Sequence, residues 1–347
     1  MKVSKAVVKM AIPSVISSLV TVVYNMADTF FVGQTGDPLQ VAAVSQTNPI
    51  FILFMAFANM FGMGGSAAAS MALGEKKEKR VKQVSSFITY ASLIVGIVFA
   101  VILLVGMQPV LQLFGADADT YELAKGYTTY ISYGAPFIIW SAAASFVVRA
   151  DGASREAMTG SMIGTVANII LDPIFISGFG MGAAGAAIAT TIGNIMASVY
   201  YLWYFCRKSR NVSMAFRYFK CGDRILSQVC SAGLPTAIFS ALMSISTIIL
   251  NQILVAYGNA PVAAIGIVFK ANMFITFLQM GLANGVQPLL GYSYGAGNRE
   301  RFIAVERYTK KCCLIVGVLA TALFFFFREP IIRLFISDTE VINYGVE

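Results

Sequence analysis

Between Glu156 and Arg207 lie fifty residues whose only charge is Asp172. A water-soluble core has no use for so long an uncharged run, whereas a helix crossing a bilayer needs about 20 mostly apolar residues. Runs of this kind recur along the chain: 57% of its residues are hydrophobic and only 12% charged, with a mean hydropathy of +0.73. Gaps between charges and turn residues predict nine membrane helices, over 10–33, 47–72, 84–107, 127–148, 157–178, 183–206, 230–256, 263–290 and 306–328. The fold class is therefore an all-α integral membrane protein. The first segment follows Lys2, Lys5 and Lys9 but outruns a signal-peptide core and lacks a cleavage pattern, so it reads as the first span.

Lys and Arg set the orientation. Of 25 such residues, 21 fall in the N-terminal segment, the "GEKKEKRVK" loop, 149–156, 207–224 and 295–311, all on one side of the predicted bundle. That side is expected to be cytoplasmic. Lys125, Arg328 and Arg333 lie opposite, and Lys270 falls within a span. The net charge of +8 is thus mostly a topology signal, with anionic lipid as its natural neighbour and nucleic acid not required. Cys206, Cys221, Cys230, Cys312 and Cys313 cluster near the basic helix ends without metal-like spacing, so reduced thiols are expected, with neither disulfide nor zinc.

A shift of about 221 residues brings the sequence onto itself. "AIP" at 11–13 meets "GLP" at 233–235, "VAAV" at 41–44 meets "VAAI" at 262–265, Gly64 meets Gly285 and Gly74 meets Gly295. Pro109, Leu113, Phe114 and Asp117 meet Pro330, Leu334, Phe335 and Asp338. Single identities are weak, because membrane helices favour small and apolar residues; their constant offset in matching loops is the signal. Parallel repeats are the arrangement with which secondary transporters place a site between two lobes. The predicted organisation is an N-lobe of six helices (1–206), a cytoplasmic linker (207–229) and a partial C-lobe of about three helices (230–347), the counterparts of 127–206 being missing from a twelve-helix plan.

Away from the helix ends, three charged residues fall within spans: Asp28, Asp172 and Lys270. Each costs on the order of 2.5–3.5 kcal/mol at a helix centre on insertion scales. Helix rise places both acids roughly 8–10 Å below the outer hydrocarbon surface. Asn168, four residues before Asp172, shares its helix face, and Thr190 reaches a similar level. Asp28, Asn168, Asp172 and Thr190 can form an oxygen-rich pocket that holds a proton or a sodium ion. A lone Asn or Thr in a membrane helix is more often interhelical glue. Two acids at one depth with no local cation are different: they cannot both ionise cheaply, and the chain has no histidine, so any proton relay runs on carboxylates. Pro173 removes a backbone donor beside the pocket. Tyr24, Met55, Met273, Phe277 and Met280, with Lys270 either snorkelling or facing inward, can line an adaptable apolar cleft. The glycines of "FGMGGSAAAS" and "GLANGVQPLLGYSYGAGN" suit close helix packing and tight turns; the second lacks the ending of a phosphate-binding loop.

The pieces "AIPSVISSLVTVVYNMADTFFVGQTG", "NIILDPIFI", "GMGAAGAAIATTIGN", "GLPTAIFSAL" and "VQPLLGYSYGAGN" together resemble the multidrug and toxic compound extrusion (MATE) family. The resemblance implies twelve helices in two six-helix lobes around a V-shaped cleft, and export of cationic, amphipathic drugs or metabolites in exchange for H⁺ or Na⁺. In the subgroup with an acidic N-lobe site, the ion-coupling residues map onto Asp28, Asn168, Asp172 and Thr190. The seventh helix offers only Asn251 and Gln252 where another branch has a coupling Glu.

The expected function is a secondary antiporter of a bacterial plasma membrane, monomeric, with the N-terminus cytoplasmic and no cofactor beyond the coupling ion. The alternative, a lipid-linked oligosaccharide flippase, calls for a cleft rich in basic residues, of which Lys270 alone is a candidate. A passive channel fits poorly with paired acids inside one lobe. No nucleophile, base and oxyanion donors fall together, so an enzyme is not expected.

Overall fold

A chain in hydrocarbon must pair its backbone N–H and C=O groups within itself, and helices do so segment by segment. The computed structural model describes residues 2–33, 37–220, 222, 224–255 and 259–333. The described residues fold as nine long helices and two short ones: α1 (Val3–Gly33), α2 (Pro38–Gly74), α3 (Glu78–Val105), α4 (Met107–Leu113), α5 (Tyr121–Ala150), α6 (Ser154–Pro173), α7 (Gly182–Trp203), α8 (Ile225–Val255), α9 (Asn259–Gly295), α10 (Arg299–Phe326) and α11 (Arg328–Arg333). Leu334, Phe335 and Asp338, with Cys221, lie outside the described residues, as do the side chains of Asp28, Asn251, Gln252 and Lys270.

Each expected span is a helix, and most run past the apolar window because their caps are polar. Asp37 accepts from Leu39 N at 2.9 Å and Pro38 opens α2, while Asn298 accepts from Arg301 N at 2.9 Å to start α10. Such residues lower local hydropathy while fixing the helix end, so hydropathy places the start too late. One correction follows. Arg149, placed above just outside the fourth span, sits in the last turn of α5 and is only 8% exposed.

The helix bounds repeat with the sequence. α1 and α8 are 31 residues each at an offset of 222, and α2 and α9 are 37 each at 221. α3 and α10 are 28 each, also at 221, and the short α4 and α11 begin at mate positions. The turns repeat too. Glu75 N bonds Met71 O and Lys77 N bonds Ala72 O, as Ala296 N bonds Tyr292 O and Asn298 N bonds Ser293 O. Lys76 adopts φ 59° where its mate, Gly297, has φ 67°, so both turns use the left-handed conformation that glycine reaches without steric cost.

In the first half, α5 is the hub, packed on α2, α3 and α7. Ile50, Phe54, Leu103, Ile131, Ala135, Ile138 and Ile139 form one buried cluster there. The halves meet through their first two helices: α1 lies on α9, α8 on α2, and α2 on α9. Glycines set those spacings. A Cβ at Gly64 would strike the Val229 carbonyl and come within 3.2 Å of Gly233 N, and one at Gly285 would come within 2.8 Å of Ala11 Cα. These are mate contacts. Gly74 and Gly295, themselves mates, also meet: a Cβ on Gly74 would come within 3.0 Å of Gly295 C. Close backbone approach of this kind substitutes dispersion contact for the hydrophobic drive that lipid does not supply.

The segment between α7 and α8 is strapped to α3. Ser85 Oγ donates to Ser213 O and accepts from Ser213 N, both at 3.0 Å, and Tyr90 Oη donates to Met214 O at 2.9 Å. The Tyr90 ring meets the edges of Phe216 and Phe219 with centroids 5.4 Å away in each case.

Candidate functional site

Asp172, Asn168 and Thr190 converge inside the first half at 0%, 3% and 5% exposure. Two glycines allow it. On α6 and α7, Gly164 and Gly193 face each other so closely that a Cβ on Gly164 would stand 2.8 Å from Gly193 O, and one on Gly193 would stand 3.3 Å from Asn168 Cβ. Asn168 is one turn beyond Gly164 and Thr190 about one turn before Gly193, so the crossing sets their side chains against each other.

The hydrogen bonds form a chain. The Asn168 amide is oriented by its partners, with its oxygen accepting from Thr190 N at 2.9 Å and Thr190 Oγ1 at 3.2 Å, and its nitrogen donating to Asp172 Oδ2 at 3.0 Å. Thr190 has one hydroxyl proton, given to Asn168, so it accepts from Tyr24 Oη at 3.3 Å. Tyr24, expected in an apolar cleft, therefore ties α1 to α7 at the polar site. Asn194 extends the network, donating to Thr190 O at 2.9 Å and accepting from Ser141 Oγ at 2.9 Å. The sequence reading passed over Asn194 and Ser141; the four-residue spacing from Thr190 to Asn194 was the available signal.

Below Asp172 the helix changes its pitch. Pro173 ends the α-helical part of α6 and Ile174–Gly178 form a single π-helical turn. Without an N–H, Pro173 leaves a carbonyl of the preceding turn unmatched, and the wider turn accommodates that loss. The turn packs on α7, where a Cβ at Gly185 would come within 2.7 Å of the Phe175 carbonyl carbon.

The remaining sequence candidates lie on α1, α2 and α9. Asp28 belongs to α1 and Lys270 to α9, but both side chains are outside the described residues. Met55 is half-buried against the Ile50 and Phe54 cluster. On α9, Met273 and Phe277 are half-buried and Met280 is exposed, at spacings that share one helix face. At the basic end of the first half, Asp151 accepts from Tyr204 Oη, Ser209 Oγ and Asn211 Nδ2 at 2.6, 2.7 and 2.8 Å. Glu156 accepts from Tyr200 and pairs with Lys208 at 2.5 Å. The buried Arg149 guanidinium lies 5.1 Å over the Phe146 ring. None of these touches the Asp172 network, and Asp151 and Glu156 tie helix ends to the segment after α7.

Comparison with known proteins supplies the family. The MatE family profile matches residues 13–174 and 235–347. The chain is 32% identical over 339 residues to the multidrug export protein MepA of Staphylococcus saprophyticus, covering 98% of this chain and 75% of that protein. It is 31% identical to MepA of Staphylococcus aureus with the same coverage. An outward-facing multidrug resistance MATE family transporter of the MOP superfamily superimposes with a TM-score of 0.94 at 26% identity, covering all of this chain and 77% of that one. Both halves of the repeat carry the match, and the relatives are transporters rather than enzymes. The chain belongs to the MATE family of multidrug efflux transporters.

Proposed function

We propose that the chain acts as an ion-coupled antiporter, exporting cationic amphipathic compounds across a bacterial plasma membrane in exchange for H⁺ or Na⁺, with its N-terminus cytoplasmic. The observation that carries this reading is the enclosed carboxylate of Asp172, bonded to Asn168 and through it to Thr190 and Tyr24. A carboxylate so far from water is expensive unless it performs a charge-balanced task. Ionised, it accepts from Asn168 as found here. Protonated, it becomes a donor and its preferred partner changes. A sodium ion would draw on the Asp172 and Thr190 oxygens and would require the Asn168 amide to rotate. Either event alters the contacts among α1, α6 and α7, the helices on which the network is strung. Asp28, placed at the same depth by the sequence, is the second carboxylate of this proposal. Division into an N-lobe, a linker at 207–229 and a partial C-lobe belongs to the same reading and draws support from the repeated helix bounds.

Coupling then follows from exclusion. If ion occupancy and substrate occupancy favour different packings of α1, α6 and α7, each drives the other out, and an ion gradient becomes an export gradient. The test uses the purified chain in sealed vesicles loaded with a cationic amphipathic dye, under an imposed proton or sodium gradient. Asp172→Asn keeps shape and hydrogen bonding but removes titration, so dye binding should survive while gradient-driven flux falls at least tenfold. Flux at the unsubstituted rate would reduce the acid to a structural role. The flippase alternative gains no observation in its favour.

A further inference from the structure

The repeat sets the α10 face at 303–314 in the place of the α3 face at 82–93. On α3 that face is covered by the linker, held through Ser85 and Tyr90 as above and through Ser86 Oγ, which donates to Ala215 O at 3.2 Å. Their mates on α10 are Glu306, Arg307 and Lys311, with Lys310 in the place of Thr89. Ile303, Glu306, Arg307, Lys310, Lys311 and Leu314 there line an open groove of about 300 Å³. The chemistry of the face has changed. A serine hydroxyl both donates and accepts, so it can bind a peptide backbone on either group; Arg and Lys only donate. Lys310 pairs with Glu306 at 2.6 Å, and among the described residues Arg307 and Lys311 face no carboxylate.

A second feature adjoins the first. Directly along the same helix, Leu314, Ile315, Val318 and Leu319 are 68%, 58%, 60% and 65% exposed, at spacings that continue one stripe. Among the described residues, two cations without a carboxylate partner therefore cap a strip of exposed apolar side chains. Free phosphate has no use for the strip, and an acidic peptide has little. A molecule with an anionic head and acyl tails uses both. We propose that this face of α10 is a binding site for an anionic phospholipid, its headgroup on Arg307 and Lys311 and its chains along Leu314, Ile315 and Val318. The inference rests on the reading that α10 crosses a membrane, and not on which side the basic loops occupy.

The test titrates the purified chain in detergent with phosphatidylglycerol or phosphatidylcholine and counts retained lipid by native mass spectrometry, which does not depend on transport or topology. At about 1 kcal/mol per cation, Arg307→Gln with Lys311→Gln should weaken phosphatidylglycerol binding roughly 30-fold and leave phosphatidylcholine binding unchanged. Arg307→Lys with Lys311→Arg should retain it, showing that the neutral pair did not fail by misfolding. Lys76→Gln with Lys79→Gln, two cations of the mate turn, should change affinity less than twofold. Equal losses from both neutral pairs would mean diffuse attraction to the basic surface and would overturn the site. Competition by glycerol phosphate at matched concentration would overturn it as well, by showing that the acyl strip contributes nothing.

Discussion

Tyr24 Oη, Thr190 Oγ1, the Asn168 amide and Asp172 Oδ2 are linked in that order by three hydrogen bonds, and their unequal roles give unequal predictions. Tyr24 stands at the end of the chain, and Tyr24→Phe removes its bond to Thr190, a bond worth about 0.6 kcal/mol on average within membranes. Thr190 is the junction. Thr190→Val keeps the shape but deprives Asn168 of a donor and Tyr24 of an acceptor, and should cost about 1–2 kcal/mol. The double variant should cost less than the sum of the two single ones, because the Tyr24–Thr190 bond is lost only once. Thermal unfolding in detergent, with and without sodium, measures all three. Strict additivity would mean that Tyr24 and Thr190 do not act through one another. Asp172, Asn168 and Thr190 were legible in the sequence because polar residues stand out against an uncharged run. The place of Tyr24 beside the polar site was not legible, because an aromatic there looks like any other packing residue. Its hydroxyl acquires meaning only once α1 is seen against α7.

Glycine contacts decide how the helices of one half approach those of the other. Gly74 on α2 and Gly295 on α9 occupy mate positions and touch, as do Ser70 and Gly291, since a Cβ on Gly291 would meet the Ser70 side chain. A residue that meets its own mate lies near the pseudo-two-fold axis, so the repeat and the closest inter-half contact are one feature. A Cβ at Gly74 would stand 2.7 Å from Ala296 N and strike the Tyr292 carbonyl, and neither is a flexible side-chain end. Gly74→Val should therefore push α2 from α9 at the basic end and cost about 1–3 kcal/mol as overpacking. Gly126→Ala is the control, because its Cβ would meet only Ala184 Cβ at 3.6 Å. Thermal midpoints of both variants, with cysteine labelling at Ser293 in a cysteine-free background, read the effect. Unchanged labelling in Gly74→Val would show that this crossing is not what closes the basic end. The glycines were visible in the sequence as packing residues, but their partners were not, since pairing between α2 and α9 crosses more than 200 positions of chain. The short helices α4 and α11 escaped for another reason: at 7 and 6 residues they are too brief to produce a hydropathy run.

Among the described residues, the two halves differ most in what covers their second and third helices. In the first half α5 fills the space between α2 and α3, where a Cβ on Gly96 would stand 2.8 Å from Pro136 N. Among the described residues, the corresponding space between α9 and α10 is an open groove of about 800 Å³. Its lining repeats the first half residue by residue: Ile275 stands for Phe54, Gly317 for Gly96, Ala320 for Phe99 and Ile332 for Leu111. At Gly317 a Cβ would meet only Gln279 Nε2, at 3.5 Å. The lining is also more polar, with Asn272, Thr276 and Gln279 in the places of Phe51, Met55 and Ala58. The repeat mates of α5 begin at position 342, outside the described residues. The groove's polarity was not foreseeable, because three scattered amides and hydroxyls on one helix read as glue until the groove they line is seen. Mate positions give the test its control. In a cysteine-free background, Met55→Cys, half-buried against the α5 cluster, should react slowly with a small maleimide, while Thr276→Cys, exposed on the groove, should react at least tenfold faster. A charged, membrane-impermeant reagent then separates water in the groove from lipid. If Thr276→Cys is as protected as Met55→Cys toward both reagents, something covers α9 and α10 as α5 covers α2 and α3, and the two halves are more alike than their described helices show.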